Sequence, residues 1–364
     1  MSLLYDEAQL AIATESRRVL DSRMAADRLL MLLERQGEFD RPFWQTCIEQ
    51  GWTGLALPGA HGGFDLGLVE LGLVAHACGA ATSGAPFLTS SYGAACAILD
   101  HGSDALKSAW LPKLAAGEAI GAVAFAEGQS ALPPRSGVAF AEGLAIGTKP
   151  AVSGALCADV AVVLADHGGT PVLLAVTLDG VERRGFNTFD NSRCTANLIF
   201  SSSPAEVLLS GPAARDAALV ILARQAVVTA HEQTGGAEAL MLVTRDYANT
   251  RRAFGQLIGG FQAVKHKIAE LYALVELARA NAIHAASRDG RPDFVKAAAA
   301  ARLSACEAYD TAARDCVQIH GGIGVTWDAG LHLHMRRART LAIEQGNAWF
   351  WEDVLVDAMM EQAA

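Results

Sequence analysis

The sequence predicts an α+β fold, mainly α, whose order along the chain is helical, β, helical. Apolar residues recur with a helical period up to about residue 118 and again after Gly211-Pro212, while β-branched runs fill the interval. With 364 residues, of which 51% are hydrophobic, the chain can build two or three packed layers. We therefore predict a helical domain over residues 1–118, a β-domain over 119–208 and a helical bundle over 209–364.

The first of these domains contains clear helix boundaries. The opening segment MSLLYDEAQLAIATESRR is typical of an amphipathic helix, since it lacks the basic start and apolar run of a leader peptide. In DRPFWQTCIEQG, Asp40 is a predicted N-cap and Gly51 a stop. In GSDALKSAWLPKLAAG, Ser103 is the N-cap and Gly117 the end. FDLGLVELGLVAHACG predicts another helix, which ends at Gly79.

The middle segment carries strand signals. Two β-branched runs, at residues 158–165 and 171–178, flank the turn sequence DHGGT. This pattern is typical of a β-hairpin. TANLIFS, at residues 195–201, adds a further strand, so the segment is predicted to form a β-domain.

Long helices are predicted in the rest of the chain. Three or four of them fit the helical period, at about 213–250, 259–288, 292–319 and 329–345. One apolar stripe on the second helix consists of Ile268, Leu271, Tyr272, Val275 and Ala282. Helices of this length can build an antiparallel bundle.

Composition excludes several classes of function. The chain has 29 Lys+Arg against 39 Asp+Glu, a formal net charge of −10, and no basic stripe, so no nucleic-acid partner is expected. Its longest apolar runs are much shorter than the roughly 20 residues that span a membrane, so no membrane span is predicted. The seven cysteines are scattered without a CxxC pair, which favours a reducing, cytoplasmic location.

Three long stretches carry a family resemblance: GWTGLALPGAHGGFDLGLVELGLVAHACG, YANTRRAFGQLIGGFQAVKHKIAE and QIHGGIGVTWDAGLHLHMRRA. Together and in this order they resemble the acyl-CoA dehydrogenase family. The resemblance implies an α-domain, a β-barrel-like middle domain and a four-helix C-terminal bundle. It also implies a bound FAD, an acyl-CoA substrate that is dehydrogenated at its α and β carbons, a tetramer, and electron-transferring flavoprotein as the electron acceptor.

The same resemblance assigns residues to the adenosine diphosphate end of the cofactor. Six positions match: Arg251, Phe254, Gln262, Gln318, Gly321 and Gly322. In the family, the last three act on the cofactor of a neighbouring subunit. An arginine fork suits phosphate oxygens, and glycines allow backbone N–H groups to approach them. The alternative is that Arg251 belongs to a solvated helix end and that Gly321-Gly322 only stops a helix.

The ring end of the expected flavin site departs from the family pattern. FAEGQSALPP, at residues 125–134, stands where the family has a Thr-Glu-Pro…Gly-Ser loop. Ala151-Val152-Ser153 stands where the family has Trp-Ile-Thr or Trp-Ile-Ser. Ser153 could still donate a hydrogen bond to the isoalloxazine ring, but the shielding tryptophan is missing. We therefore expect an altered ring end beside an intact adenine end.

The catalytic glutamate of the family is absent from both of its usual positions. Counted from MRRA (335–338), one position is Gln345, and counted back from Gly255, the other is Gln225. An amide cannot take the α-proton, because it is not basic near neutral pH. Glu344 is the neighbouring carboxylate, but one helical step turns a side chain by roughly 100°. Glu344 is therefore the candidate base, and we expect that it does not act as one.

These departures resemble the two-subunit acyl-CoA dehydrogenases associated with steroid or other bulky side-chain degradation, in which a homologous partner supplies the base. We predict that this chain is such a subunit and contributes the dinucleotide half of a shared FAD site. Two alternatives stay open. The chain could be a self-sufficient homotetrameric dehydrogenase that uses Glu344, or a flavin-free acyl-CoA-binding or scaffold protein of the same fold.

Other polar residues are assigned to packing. His332 and His334 are two residues apart on a predicted helix and point to different sides, so no metal site is predicted. Cys306 and Cys316 lie in an alanine-rich helix and are predicted to be small core residues. Glu232 is predicted to have a structural or interhelical role.

Overall fold

The computed structural model of the protein describes residues 5–24, 26–35, 37–88 and 92–363. Residues 1–4 of the predicted opening helix and Ala364 lie outside these ranges. The N-terminal part is helical, as predicted. Its helices are α1 (Glu7–Arg23), α2 (Ala26–Glu34), α3 (Arg41–Glu49), α4 (Leu68–Ala80), α5 (Tyr92–His101) and α6 (Asp104–Ala116).

The predicted caps of two of these helices are confirmed. The Asp40 carboxylate accepts a hydrogen bond from the backbone N–H of Phe43 at 2.9 Å, at the start of α3. The Ser103 hydroxyl accepts from the backbone N–H of Leu106 at 3.1 Å, at the start of α6. Gly117 closes α6 with φ 71°, a left-handed conformation that glycine adopts without strain. Local side-chain chemistry therefore sets the bounds of these helices.

Strands fill the middle segment, and the predicted runs at residues 158–165, 171–178 and 195–201 account for three of them. The strands are β1 (Gly121–Ala124), β2 (Ala139–Ala141), β3 (Leu144–Val152), β4 (Val160–His167), β5 (Thr170–Thr177), β6 (Glu182–Gly185) and β7 (Ala196–Ser210). Their order in the sheet is β1-β4-β2-β3-β7-β5, and β6 pairs with β7. Because β5 also pairs with β4, the ring of pairings closes on itself. The middle segment is therefore barrel-like, in agreement with the prediction.

The predicted hairpin is β4 and β5. The two strands are antiparallel, with Val160 opposite Thr177 and His167 opposite Thr170. The turn between them is a pair of glycines with positive φ, the backbone geometry that tight hairpin turns require. Residues 160–165 of β4 and 172–176 of β5 are buried without interruption. Because successive strand residues face opposite sides, both faces of the hairpin are covered.

The C-terminal part is helical again. Its helices are α7 (Pro212–Thr250), α8 (Gln262–Ser287), α9 (Phe294–His320), α10 (Leu331–Leu341) and α11 (Ala348–Ala363). Between α7 and α8, the short strands β8 (Arg252–Ala253) and β9 (Gln256–Leu257) form a small ribbon. Helix α7 is central, since it packs against α4, α8 and α9. The predicted helical bundle is confirmed.

The predicted helix over residues 329–345 is wrong at its C-terminal end. Helix α10 ends at Leu341, and a turn over residues 342–346 leads into α11. Gln345 has φ 53° and Gly346 has φ 98°, and a right-handed helix cannot contain either conformation. Glu344 and Gln345 therefore lie on a turn, and the angle of a helical step does not relate their side chains.

The predicted apolar stripe of α8 is only partly buried. Leu271, Val275 and Ala282 are fully buried, whereas Tyr272 is 58% exposed. Tyr272 lies one position away from the buried line of residues, so its ring faces outward and the predicted stripe is wrong at that position. The buried side of α8 is narrower than the sequence indicated.

Helices α4 and α7 cross in backbone contact. A Cβ atom at Gly79 would come within 1.8 Å of the carbonyl oxygen of Glu232, and one at Gly235 within 1.9 Å of the carbonyl oxygen of His76. The sequence predicted that the helix ends at Gly79, but α4 continues to Ala80. Gly79 instead allows the backbones of α4 and α7 to approach closely, because it has no side chain. The crossing holds Glu232 in the centre of the protein, where its side chain is fully buried.

Candidate functional site

A cluster of acidic and basic side chains lies in the interior, where the barrel meets the helical parts. It is called the ion cluster below, and its members are Asp190, Arg193, Glu232, Arg337 and Glu344, each no more than 9% exposed. The first two lie between β6 and β7, the third lies on α7, the fourth on α10, and the last on the turn after α10. The cluster therefore joins segments that are far apart in sequence.

Arg193 holds two carboxylates at once. Its Nη1 donates to Glu232 Oε1 at 3.0 Å, and its Nη2 donates to Glu344 Oε2 at 2.7 Å. Its Nε lies 3.2 Å from both oxygens of Glu344. Burial works against the charged guanidinium, but the two carboxylates outweigh it and raise the pKa of Arg193. This geometry is the bidentate fork that suits arginine and not lysine.

Arg337 extends the cluster to the N-terminal helices. Its Nη1 donates to Glu232 Oε1 at 2.8 Å, and its Nε donates to Asp190. It also donates to the backbone carbonyls of Ser83 and Thr82, at 2.8 and 2.7 Å. Burial alone would raise the pKa of Asp190, but Arg337 and Arg193 hold that pKa below its usual value. Arg337 therefore ties α10 to the barrel, to α7 and to the segment after α4.

A third buried guanidinium completes the charge balance. Arg302 on α9 is 2% exposed and donates to the backbone carbonyl of Glu344 at 2.9 Å, and also to Gln233 and to the carbonyl of Leu341. Three arginines thus face three carboxylates. Arg193 and Arg337 are paired with these carboxylates, whereas neutral oxygens of Gln233, Leu341 and Glu344 accept from Arg302. Burial lowers the pKa of Arg302, because the charged form is disfavoured in the interior.

The carboxylate of Glu344 is held by hydrogen bonds at both of its oxygens. Both of its carboxylate oxygens accept hydrogen bonds from Arg193, and Oε1 also accepts from the Ser153 hydroxyl at 2.6 Å. The Ser153 hydroxyl, which was expected to donate to a flavin ring, therefore donates to Glu344 of the same chain. A bound isoalloxazine would have to break this contact to reach Ser153.

The two amides at the expected base positions are engaged in packing. Gln345 Oε1 accepts a hydrogen bond from the Thr229 hydroxyl at 3.0 Å. Gln225 is 3% exposed, and a Cβ atom at Gly93 would come within 2.7 Å of its side chain. Neither amide can serve as a base. Neither expected base position therefore offers a carboxylate, and Glu344 is the carboxylate next to one of them in sequence.

The loop over residues 125–134 is held in place by contacts of its Glu127 side chain with residues that follow the loop. The Glu127 carboxylate accepts from the backbone N–H of Gly137 at 2.8 Å and from the Ser136 hydroxyl at 2.8 Å, and it pairs with the buried ammonium group of Lys149. A backbone N–H, a hydroxyl and an ammonium group form a donor set that an external anion could use. In this chain the Glu127 carboxylate accepts from these donors in place of an external anion.

The cavity beside the ion cluster is small. It is lined by Leu29, Leu33, Thr82, Asp190, Ser192, Leu333 and Arg337, and it has room for about one water molecule. A pocket for an acyl chain or an isoalloxazine ring requires several hundred Å³. The space beside the cluster is therefore filled by side chains.

The residues predicted for the adenosine diphosphate end lie elsewhere, at one end of the bundle. All six are exposed: Arg251, Phe254, Gln262, Gln318, Gly321 and Gly322. Tyr247 of α7 stacks on His320 of α9 with 4.1 Å between ring centroids, which brings the ends of the two helices together. The structure therefore groups these six residues and leaves Ser153 apart from them, at the ion cluster.

This bundle end fits a phosphate-bearing group. No hydrogen bond or ion pair joins the Arg251 guanidinium to another residue within the described part of the chain. Phe254 is 95% exposed with φ 52°, and Gly321 has φ 62° with open space where a Cβ would stand. Helix α8 begins at Gln262, and the free N–H groups of a helix N-terminus favour an anion. The bundle end fits the adenosine diphosphate part of FAD, whereas the surroundings of Ser153 do not fit the ring.

The residues assigned to packing have ordinary partners. His332 stacks on Trp327 with 4.3 Å between ring centroids, and His334 Nδ1 is hydrogen-bonded to the Tyr309 hydroxyl at 2.8 Å. Cys316 is buried, and Cys306 is partly buried. Across the described residues, no three metal-ligating side chains converge.

Sequence reasoning missed most of the ion cluster. It assigned Glu232 a structural role, which the structure confirms, but it gave no role to Asp190, Arg193 or Arg337. A signal was present for Glu232 and Arg337, since each is a charged residue that interrupts the apolar side of a helix. No pattern in the local sequence marks Arg193.

Comparisons with known proteins agree with this architecture. The families described as "Acyl-CoA dehydrogenase, N-terminal domain" and "Acyl-CoA dehydrogenase, C-terminal domain" match residues 6–118 and 216–358. Acyl-CoA dehydrogenase IpdE2 of Mycobacterium tuberculosis is 32% identical over 318 residues, which cover 86% of this chain and 85% of the relative. The chain belongs to the acyl-CoA dehydrogenase family. The family predicted from its motifs is therefore confirmed.

Solved structures show the same fold. The ChsE4-ChsE5 complex from Mycobacterium tuberculosis is 25% identical with a TM-score of 0.89, over 99% of each chain. The Tcur3481-Tcur3483 steroid ACAD is 27% identical with a TM-score of 0.87, over 98% of this chain and 99% of the other. Membership in this family indicates an oxidoreductase that acts on acyl-CoA. In the described part of the chain, no helix is long and apolar enough to cross a membrane.

Proposed function

We propose that this chain is one subunit of a hetero-oligomeric, FAD-dependent acyl-CoA dehydrogenase. In this proposal it contributes the residues of its bundle end to a cofactor whose ring and catalytic glutamate are held by a homologous partner. The observation that carries the proposal is the hydrogen-bonded series Ser153–Glu344–Arg193, which closes the ring end of the chain's own site.

The chemistry of the reaction makes a carboxylate indispensable. The α-proton of the thioester must go to a base that lies within hydrogen-bond reach of it, and bound FAD accepts the hydride from the β-carbon. Gln345 and Gln225 cannot take a proton. Glu344 can reach no substrate proton while its oxygens accept from Arg193 and Ser153. The base must then come from another chain.

The bundle end would act on the cofactor across the subunit interface. Arg251 would bind the pyrophosphate with its unpaired guanidinium, and Phe254 would cover the adenine end. Gln262 would lie beside them, while Gln318 and the Gly321-Gly322 turn would meet the adenosine diphosphate part. Their shared exposure supports this role, because residues that meet a neighbouring subunit's cofactor must lie on the surface of their own chain.

The substrate in this proposal is an acyl-CoA thioester with a bulky or steroid-derived acyl group. Two similar proteins support it, since one is called a steroid ACAD and the other is a complex of two differently named chains. The assembly would be a cytoplasmic tetramer of two kinds of chain, and electron-transferring flavoprotein would accept the electrons. A self-sufficient homotetramer with Glu344 as base is the less favoured candidate, because it would have to release Glu344 from Arg193.

Flavin stoichiometry tests the proposal. The chain is purified alone and after co-expression with an acyl-CoA dehydrogenase homologue that carries the catalytic glutamate, and FAD is counted by its absorbance against protein concentration. We expect little FAD on the chain alone and one FAD for each pair of chains in the mixed complex. One FAD per chain on the isolated protein would contradict the proposal, and a mixed complex without FAD would favour a flavin-free scaffold.

A further inference from the structure

Two cysteines lie next to each other where the turn after β3 meets the residues that lead into β7. They are Cys157 and Cys194, and backbone hydrogen bonds join the segments that carry them. The N–H of Gly154 donates to the carbonyl of Arg193 at 2.9 Å, and the N–H of Leu156 donates to the carbonyl of Cys194 at 3.1 Å. The two segments are therefore held in register, with the cysteines adjacent across them.

The thiols of these two residues are neighbours as well. The side chain of Cys157 is in hydrogen-bonding contact with that of Cys194. Each thiol also reaches a backbone carbonyl, since Cys157 Sγ donates to Gly154 at 3.3 Å and Cys194 Sγ donates to Glu38 at 3.5 Å. Cys157 is partly exposed, whereas Cys194 is 1% exposed. A small reagent in solution can therefore reach the first thiol, and the second lies directly behind it.

The pair differs from the other cysteines of the chain. Four of the others are buried: Cys47, Cys78, Cys96 and Cys316. Cys306 is partly exposed, as Cys157 is, but its side chain faces the guanidinium of Arg302 one helical turn away on α9. Access from solvent and contact with a second thiol are therefore combined at Cys157 and Cys194.

The two joined segments are the ones that hold Glu344. Ser153 directly precedes Gly154, and its hydroxyl donates to Glu344 at 2.6 Å. Arg193 directly precedes Cys194, and its Nη2 donates to Glu344 at 2.7 Å. A covalent bond between the two cysteines would therefore fix the backbone on both sides of the Glu344 carboxylate.

We propose that Cys157 and Cys194 are a dithiol modification site, which a low-molecular-weight disulfide oxidises to an intramolecular disulfide that locks the Ser153 and Arg193 segments together. The Cys157 thiolate attacks one sulfur of the small disulfide, which forms a mixed disulfide and releases one thiolate. Cys194 then loses its proton and attacks the Cys157 sulfur, which releases the second thiolate. Two protein thiols are thus oxidised, the small disulfide is reduced to two thiols, and the released thiolates take up the two protons. The inference concerns residues of this chain alone and does not depend on the proposed function.

The surroundings of Cys157 determine how fast the first step runs. Contact with Cys194 and burial raise the pKa of the Cys157 thiol, and Asp159 before β4 also raises it, whereas the Arg183 guanidinium on β6 lowers it. Because the thiolate is the attacking form, the first step is slow at neutral pH. Its rate should rise by up to about tenfold for each unit of pH, as the thiolate fraction does.

Peptide mapping of the folded, full-length chain tests the site. The chain is incubated with oxidised glutathione, its free thiols are blocked with N-ethylmaleimide, and it is digested with trypsin without reduction. Trypsin releases residues 136–183 and 194–215, because the bond between Lys149 and Pro150 resists cleavage. The first peptide contains Cys157 and the second contains Cys194, and neither contains another cysteine. A disulfide between the two therefore appears in the mass spectrum as the sum of both peptides less two hydrogen atoms.

We expect this linked pair of peptides from the wild-type chain, and more of it at higher pH. Cys157→Ser should abolish it, whereas the matched control Cys306→Ser, which removes the other partly exposed cysteine, should leave it unchanged. The oxidised wild-type chain should unfold at a temperature a few degrees above that of the reduced chain, because a cross-link restricts the unfolded state. The same oxidant should not shift the unfolding temperature of Cys157→Ser.

Several results would overturn the proposal. One is a stable glutathione adduct on Cys157 without the linked peptides, which would show that Cys194 does not complete the exchange. Another is a link that forms only after the chain is unfolded in urea, or one that joins Cys157 to a different cysteine. A link that forms in the folded chain but does not raise the unfolding temperature would refute the lock.

Discussion

The variant Arg193→Met should destabilise the fold, because Arg193 neutralises two carboxylates that water hardly reaches. The Glu232 side chain is fully buried, and that of Glu344 is 7% exposed. Removing one partner of a buried ion pair typically costs ~3–5 kcal/mol. Glu232 keeps its contact with Arg337, and Glu344 keeps the Ser153 hydroxyl. We therefore expect a loss near the lower end, about 3 kcal/mol in the free energy of unfolding.

The assay is urea denaturation followed by tryptophan fluorescence, with the change in midpoint converted by a common slope. The matched control is Arg184→Met, which removes an arginine from an ion pair with Glu182 whose side chains are 68% and 52% exposed. Exposed pairs contribute roughly 0–1 kcal/mol, so this variant should unfold almost as the wild type does. The pair of variants separates burial of the charge from loss of an arginine.

A double variant tests the mechanism of the loss. Arg193→Met/Glu344→Gln removes the carboxylate that the single variant leaves unpaired, so we expect it to be more stable than Arg193→Met alone. Equal losses in Arg193→Met and Arg184→Met would refute the reasoning. So would a double variant whose loss equals the sum of the two single losses, since contacting residues should not be additive.

Three further predictions concern pH, cofactor and turnover. Burial lowers the pKa of His231 and of His334 to about 3, from the 6.5 of an exposed histidine. Their contribution to stability is therefore complete above about pH 6.5 and falls as the pH drops towards 3, by roughly 1.4 kcal/mol per pH unit for each histidine. His334→Gln should flatten the plot of unfolding free energy against pH, and an unchanged slope would contradict this. Arg251→Ala should weaken FAD binding to the mixed complex by roughly 10–150-fold, because it loses a charge-assisted contact of ~1.5–3 kcal/mol. The exposed control Arg245→Ala should not weaken FAD binding. Equal FAD occupancy in the two variants would count against the assignment. Glu344→Gln should leave turnover of the mixed complex within a few-fold of wild type, while a loss of ~10²–10⁴ with substrate binding intact would make Glu344 the base.

Features that depend on neighbouring residues were predictable from the sequence. Asp40 and Ser103 cap their helices because a side-chain oxygen reaches a backbone N–H three residues on. The hairpin of β4 and β5 followed from two β-branched runs around a glycine turn. The domain bounds at residues 118 and 208 and the roles of the site residues stay predictions.

Features that depend on distant contacts were not predictable. The helical period gave no reason to end α10 at Leu341, because the turn that follows is fixed by contacts with other segments, such as those of Arg302 with the carbonyls of Leu341 and Glu344. Arg193 and Glu344 are 151 residues apart in sequence, and no local pattern indicates that they meet. The closed ring end of the site therefore became visible only in the structure.

The most direct test of the central claim is the rate at which this chain, alone and with its homologue, dehydrogenates an acyl-CoA. Both preparations are assayed in excess FAD with a panel of acyl-CoA thioesters and an artificial electron acceptor. The account predicts almost no turnover by the chain alone and turnover by the mixed complex that is lost when the partner's catalytic glutamate is replaced. An isolated, FAD-loaded homo-oligomer that turns over at an ordinary ~1–10³ s⁻¹ would contradict it.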